Sequence, residues 1–208
     1  MNAGRLLAIV VLAAAVVATV WGIRRAIQAP GVEAGRNGQM DAEAVHFPPL
    51  PGFDLVDRSG QRIQKADLEG KVWVAGFIFT RCQGPCPRVA AQMLSLQKAL
   101  FPSGVWLVTF TVDPGFDLPE VLDLYAKKLG AGPHWLFLTG EEGPLYRLIR
   151  EGFKLGVGAA EEPGAAHAVT HSTRLVLVDR SGSIQGYFDS EDPGAMSRLI
   201  RKAGDLTR

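Results

Sequence analysis

The sequence predicts an α/β domain, in which a central mixed β-sheet is flanked by helices, preceded by one transmembrane helix. An uncharged apolar stretch near the amino terminus predicts the membrane helix. An apolar run rich in β-branched and aromatic residues at positions 72–80 predicts a strand that is covered on both faces. Strand and helix signals alternate from there to the carboxyl terminus, which is the pattern of an α/β sheet sandwich.

The membrane helix is predicted over residues 1–23. Its apolar part, residues 6–23, carries no charge and as a helix would span roughly 27 Å, close to a bilayer core. A buried core helix is disfavoured because the stretch shows no amphipathic periodicity. The nearest cleavage candidate has the bulky Ile27 at its first position and a proline behind it. We therefore expect an uncleaved anchor, a flexible linker over residues 24–46 and one folded domain over residues 47–208.

The first half of the domain is predicted to form a hairpin, a buried strand and a helix. The Asp-Arg-Ser-Gly sequence at 57–60 is typical of a turn between two short strands. Pro87 suits the first turn of a helix whose apolar residues recur at helical spacing. The predicted elements are strands at 53–56, 61–63 and 72–80 and a helix at 88–100.

The second half continues the alternation and closes with a hairpin and a helix. One helix has Pro119 near its start and Gly130 just past its end, which are typical helix boundaries. The Asp-Arg-Ser-Gly sequence at 179–182 indicates a second hairpin. The predicted elements are strands at 105–112, 136–138, 174–178 and 184–188 and helices at 118–129, 145–151 and 195–202.

Composition and charge narrow the classes of function. The chain has 208 residues, of which 47% are hydrophobic and 21% charged, so it can bury one core of ordinary size. Its net charge is +1 and it has no basic stripe interleaved with aromatic residues, which argues against nucleic-acid binding. Two cysteines are too few for a disulfide-stapled secreted scaffold. We therefore interpret them as a site.

Cys82 and Cys86 lie four positions apart between the predicted buried strand and the following helix. Cys86 falls near the helix amino terminus, where unpaired N–H groups and the helix dipole predict a thiolate and a reactive pair. Thiolates are soft ligands that suit Cu(I), zinc or iron–sulfur clusters, and two of them with one imidazole make a low-coordinate Cu(I) site. A structural zinc site would need four ligands. Two inert thiols or a plain disulfide are the alternative interpretation.

Four segments of the domain occur in an order that matches a known family. They are FTRCQGPCP at 79–87, TVDP at 111–114, PEVLDLYAKKLG at 119–130 followed by LTG at 138–140, and HSTRLVLVDRSGSIQGYF at 171–188. Through them the chain resembles the Sco/SenC family of copper chaperones for cytochrome c oxidase assembly, which are thioredoxin-like proteins. The resemblance covers the segment from Phe53 to the carboxyl terminus.

The resemblance implies a copper site with Cys82 and Cys86 as ligands and His171 as the third ligand. Position alone would favour a hydrogen-bonded histidine at the start of a strand for His171, and the resemblance reverses that interpretation. Asp113 is implied to lie close to the site, although it could equally cap a turn before Pro114. The chain departs from the family at Thr170, where the family has an aspartate that could orient the imidazole.

The implied function is that of a metallochaperone which delivers copper to the CuA site of cytochrome c oxidase subunit II, or to another cuproprotein, after receiving it from a donor protein. The copper is expected as Cu(I), with Cu(II) left open. A short amino terminus without a transit peptide predicts the bacterial cytoplasmic membrane, with the domain facing the periplasm or the cell exterior. Arg24 and Arg25 after the span favour the opposite orientation, but large domains translocate largely regardless of flanking charge.

Other function classes remain open at this point. The main alternative is an enzyme, a membrane-anchored thiol–disulfide reductase that uses Cys82 and Cys86 and does not need His171. A redox or copper sensor is a second alternative, and a peroxidase a weaker third, because Arg81 and Arg88 would have to activate a peroxide-reducing cysteine. The remaining histidines are interpreted as solvated or packing residues, namely His46, His134 and His167.

Overall fold

The computed structural model describes residues 47–156 and 173–208. The predicted anchor at 1–23 and linker at 24–46 lie outside these ranges, and so does the segment with His167, Thr170 and His171. Within the described ranges, no helix is both long enough and apolar enough to cross a bilayer. The anchor and the linker therefore stay predictions.

The described strands form one mixed sheet. The strands are β1 Asp54–Asp57, β2 Arg62–Gln64, β3 Trp73–Ile78, β4 Trp106–Thr111, β5 Trp135–Thr139, β6 Arg174–Val178 and β7 Ile184–Asp189. Their order in the sheet is β2-β1-β5-β4-β3-β6-β7. β3, β4 and β5 are parallel to one another, whereas β1 pairs antiparallel with β5 and β6 pairs antiparallel with β3. The predicted mixed sheet is confirmed.

Four α-helices accompany the sheet within the described residues. They are α1 Cys86–Leu100, α2 Pro119–Leu129, α3 Glu142–Arg147, which continues into a π-helical turn at Leu148–Gly152, and α4 Pro193–Thr207. Short 3₁₀ turns lie at Lys65–Leu68 and Phe101–Ser103. Helix α4 begins two residues before its predicted start, because the side chain of Asp192 accepts a hydrogen bond from the backbone N–H of Gly194 at 2.8 Å and so caps the helix.

β3 shows why a continuous apolar run becomes a strand. All its residues are buried. Its side chains alternate between the two faces of the sheet, with Trp73 and Phe77 in one core cluster and Val74 and Ile78 in the other. At Gly76 an added Cβ would lie 3.3 Å from Sδ of Met93, so the glycine allows α1 to pack closely against the strand.

The two faces of the sheet are covered by different helices. Helices α1, α2 and α4 cover one face, to which they contribute residues such as Met93, Leu122 and Leu199. Helix α3 and the chain after it cover the other face through Leu145 and Phe153. The predicted central sheet flanked by helices is therefore confirmed.

The carboxyl ends of β3 and β4 lie side by side, since Ile78 pairs in register with Thr111. The loops that follow these two strands therefore leave the sheet at the same edge. β6 runs antiparallel to β3, so its first residue, Arg174, also lies toward this edge. The topology thus gathers the cysteine loop, the loop after β4 and the start of β6 at one place.

Candidate metal centre

The structure brings the two cysteines together. Cys86 is the first residue of α1 and is only 5% exposed. Cys82 lies in the loop between β3 and α1 and is partly exposed. Both are free thiols, and a hydrogen bond joins their side chains. Two soft donors therefore lie next to each other at the edge of the sheet, one inside the protein and one open to solvent.

The loop between the cysteines is folded back by short-range hydrogen bonds. The N–H of Cys82 donates to the carbonyl of Phe79 at 3.3 Å, and the N–H of Gly84 donates to Sγ of Cys82 at 3.4 Å. The carbonyl of Pro85 accepts from the N–H groups of Arg88 and Val89 at 2.9 and 3.1 Å, which starts the helix. The loop therefore turns Cys82 toward the helix amino terminus.

The structure corrects the prediction that Cys86 is a thiolate. Burial is the largest influence and, with the hydrogen bond to Cys82, raises the pKa of the Cys86 thiol to about 12. Backbone hydrogen bonds at Phe79 and at the helix start lower this pKa, as the helix argument predicts, but they are outweighed. In the metal-free protein Cys86 is therefore a protonated, buried thiol at neutral pH.

Asp113 follows β4 and begins a turn, which is one of the two roles predicted for it from the sequence. Its carbonyl accepts from the N–H groups of Phe116 and Asp117 at 3.0 and 2.9 Å. Its carboxylate pairs with Arg81, with 2.6 Å between Oδ2 and Nε. The Arg81 guanidinium in turn lies 4.7 Å from the ring centroid of Phe116. The carboxylate is thus engaged by a cation from the cysteine loop.

Asp117 is a residue that the sequence analysis missed. It is fully buried, and its carboxylate accepts hydrogen bonds from Thr80 and from the hydroxyl of Thr111. Burial raises its pKa, and these hydrogen bonds act in the opposite direction. The signal that could have found it is its position four residues after Asp113, at the same sheet edge as the cysteines.

Tyr125 on α2 is a second missed residue. Burial is the main cause that raises its pKa to about 12, and the electrostatic influence of Cys86 and Cys82 acts in the same direction. Its ring also packs near Phe137, with 6.4 Å between the centroids. Tyr125 thus packs against the same core cluster that contains Cys86. Its partial burial on the helix could not be read from helical spacing alone.

The other predicted residues have separate outcomes. His171 lies outside the described residues, and within the described ranges no group of three His, Cys, Asp or Glu side chains could hold a metal ion. His134 packs against the rings of Trp106 and Phe101, with centroids 4.6 and 4.9 Å apart, which confirms the packing interpretation. Arg88 forms an exposed ion pair with Glu191, with 2.7 Å between Nη1 and Oε1.

A protein-family model described as SCO1/SenC matches residues 45–204. The chain belongs to the SCO1/SenC family. A relative from Stutzerimonas stutzeri, whose name proposes copper binding, is 31% identical over 165 residues, which cover 76% of this chain and 79% of the relative. The family assignment therefore rests on nearly the whole described domain together with the cysteine loop.

Solved structures of the family share the fold. BsSco, described as a cytochrome c oxidase assembly protein with a disulfide switch, is 26% identical with a TM-score of 0.68 and matches 78% of this chain and 95% of its own. Copper-bound ScoI of Bradyrhizobium japonicum has a TM-score of 0.63 at 22% identity, over 74% of this chain and 99% of its own. The latter likeness shows the fold alone.

Proposed function

We propose that this chain binds copper through Cys82, Cys86 and His171 and passes it to a respiratory oxidase during assembly, with the CuA site of cytochrome c oxidase subunit II as the client. The observation that carries the proposal is the contact between the two thiols at the start of α1. β6 begins at the same edge of the sheet, three residues after His171 in the sequence. The relatives named for copper binding and for oxidase assembly support the same function.

The donor set suits Cu(I) as cargo. Two neighbouring sulfur atoms are soft ligands, and one imidazole completes a low-coordinate site of the kind that Cu(I) accepts. Binding releases protons from the thiols, because only thiolates ligate. A hard cation such as Mg²⁺ would instead select carboxylates, and the Asp113 carboxylate is already paired with Arg81.

The unequal exposure of the two thiols suggests the order of transfer. Cys82 is partly exposed, whereas Cys86 is 5% exposed. A client thiolate can therefore reach copper first from the side of Cys82 and displace that ligand. Cys86 then releases the ion last, so copper stays coordinated during the exchange.

A second candidate function is a thiol–disulfide reductase, which the same geometry favours. A partly exposed Cys82 could attack a client disulfide, and the adjoining Cys86 could resolve the mixed disulfide. The client then gains two electrons and two protons, while Cys82 and Cys86 become a disulfide. This oxidation would remove both sulfur ligands, so the disulfide form of the protein could not bind copper. The disulfide switch described for BsSco supports this coupling.

The proposal extends to location. The predicted anchor would hold the chain in the bacterial cytoplasmic membrane with the domain on the outer side. A cysteine-reactive reagent that does not cross the membrane, added to intact cells, tests this orientation. It should label Cys82 only if the domain faces outward.

The deciding experiment is an anaerobic Cu(I) titration of the reduced full-length protein against a competing chelator. We expect one copper per chain and a loss of more than about 100-fold in affinity for Cys82→Ser, Cys86→Ser and His171→Ala, since even outer partners of a metal site cost up to that much. His167→Ala is the matched control, because it changes a histidine four positions away. Its affinity should equal that of the parent.

Two results would favour the reductase instead. One is copper binding that does not depend on His171. The other is reduction of a disulfide substrate that survives His171→Ala and is abolished by either cysteine substitution. Failure of the parent to bind copper would overturn the copper proposal outright.

A further inference from the structure

The two cysteines are held in place by different means. Cys86 is fixed by helix α1, of which it is the first residue. Cys82 lies outside any helix or strand, in the loop that follows β3. Its distance from Cys86 therefore depends on what holds the loop just before it, which is formed by Thr80 and Arg81.

Asp117 holds Thr80 through both its backbone and its side chain. The backbone N–H of Thr80 donates to Oδ2 and Oδ1 of Asp117 at 3.1 and 3.3 Å. The Thr80 hydroxyl donates to Oδ1 at 2.5 Å. Because one carboxylate binds both groups, it fixes the direction in which the chain leaves β3 toward Cys82.

Asp117 is itself held rigidly by the end of β4. The hydroxyl of Thr111, the last residue of that strand, donates to Oδ2 of Asp117 at 2.5 Å. The N–H of Asp117 donates to the carbonyl of Asp113 at 2.9 Å, and the Tyr146 hydroxyl donates to the carbonyl of Val112 at 2.9 Å. Asp117 is 0% exposed. Asp117 therefore attaches the start of the cysteine loop to the end of β4.

We propose that Asp117 is a positioning residue for the thiol pair, which sets Cys82 at the distance from Cys86 that one copper ion requires. The inference rests on the proposed function, since it takes Cys82 as a copper ligand. The neighbouring ion pair between Asp113 and Arg81 adds a second attachment to the same stretch. A site preorganised in this way binds copper without the cost of ordering the loop.

The test compares two substitutions at Asp117 in the reduced full-length protein. Asp117→Ala removes the carboxylate that accepts from the N–H and the hydroxyl of Thr80. It should weaken Cu(I) binding by about 10- to 100-fold, the range seen for residues that orient metal ligands. Asp117→Asn keeps one oxygen for the Thr80 N–H and an amide that can donate to the Thr80 hydroxyl. It should restore most of the lost affinity.

A matched control separates positioning from general destabilisation. Asp179 also caps a turn, accepting from the N–H groups of Ser181 and Ser183 at 2.8 and 3.0 Å, but it follows β6 at the opposite edge of the sheet. Asp179→Ala should lower the thermal midpoint and leave the Cu(I) affinity at the parent value. The affinity and the thermal midpoint are therefore measured on every variant.

The outcomes separate this inference from the proposed function. Parent binding with a loss in Asp117→Ala and recovery in Asp117→Asn supports the positioning role. Unchanged affinity in Asp117→Ala overturns it and leaves the copper proposal standing. A loss of Cu(I) affinity in Asp179→Ala that accompanies its fall in thermal midpoint also overturns it, because general instability would then explain the weaker binding. Absence of binding by the parent overturns both.

Discussion

Burial of Cys86 should make it far less reactive than an ordinary cysteine in the metal-free protein. With a pKa of about 12, roughly one thiol in 10⁴ is ionised at pH 8, against about a quarter for a cysteine of pKa 8.5. The higher nucleophilicity of a basic thiolate recovers about 30-fold of this. Alkylation of Cys86 should therefore be slower by roughly 50- to 100-fold, and further slowed by its 5% exposure.

The assay follows iodoacetamide labelling of each cysteine by tandem mass spectrometry in the chelator-treated, reduced parent protein. The parent is used because Cys82→Ala would remove the hydrogen bond that helps to raise the Cys86 pKa. The rate at Cys86 should rise about tenfold per pH unit, since the pH lies below its pKa. In denaturant the two cysteines should react at similar rates, because burial is lost. Labelling of native Cys86 at the rate of an ordinary cysteine would refute the argument.

Two further predictions concern the core that supports the site. Thr109→Val removes the hydroxyl that accepts from Nε1 of buried Trp135 at 2.8 Å. Denaturant titration should show that the free energy of unfolding falls by about 1–3 kcal/mol. An unchanged denaturation midpoint would contradict this. Gly140→Ala would place a Cβ 2.8 Å from Cδ2 of buried Leu55. It should lower the free energy of unfolding by about 1–3 kcal/mol. Gly52→Ala, with no atom within 4 Å, is its control, and equal thermal shifts would contradict the packing argument.

Local patterns were sufficient to predict most of the strands and helices. The apolar run that became β3 and the helical spacing that became α1 both reflect burial, which repeats with the period of the backbone. The predicted helix at 195–202 was too short, since the cap at Asp192 and the last turn carry few apolar residues to mark them. Periodicity thus finds an element more reliably than its ends.

The candidate site could be predicted in part. The spacing of Cys82 and Cys86 before a helix was enough to pair them, and the structure places them in contact. The state of Cys86 could not be predicted, because the thiol joins a buried cluster with side chains from distant segments, such as Leu122 of α2 and Met196 of α4. Helix position lowers the pKa and burial raises it, and only packing decides which is larger.

The sequence by itself determined the family, the two thiols and the order of strands and helices, because each depends on residues close together in the chain. Only the tertiary structure decided that Asp117 reaches back 37 positions to hold Thr80. That contact exists because β3 and β4 are parallel neighbours, which brings the loops after them to one edge of the sheet. Hydrogen bonds between such loops leave no periodic trace in the sequence, since the two segments meet only once the sheet has formed.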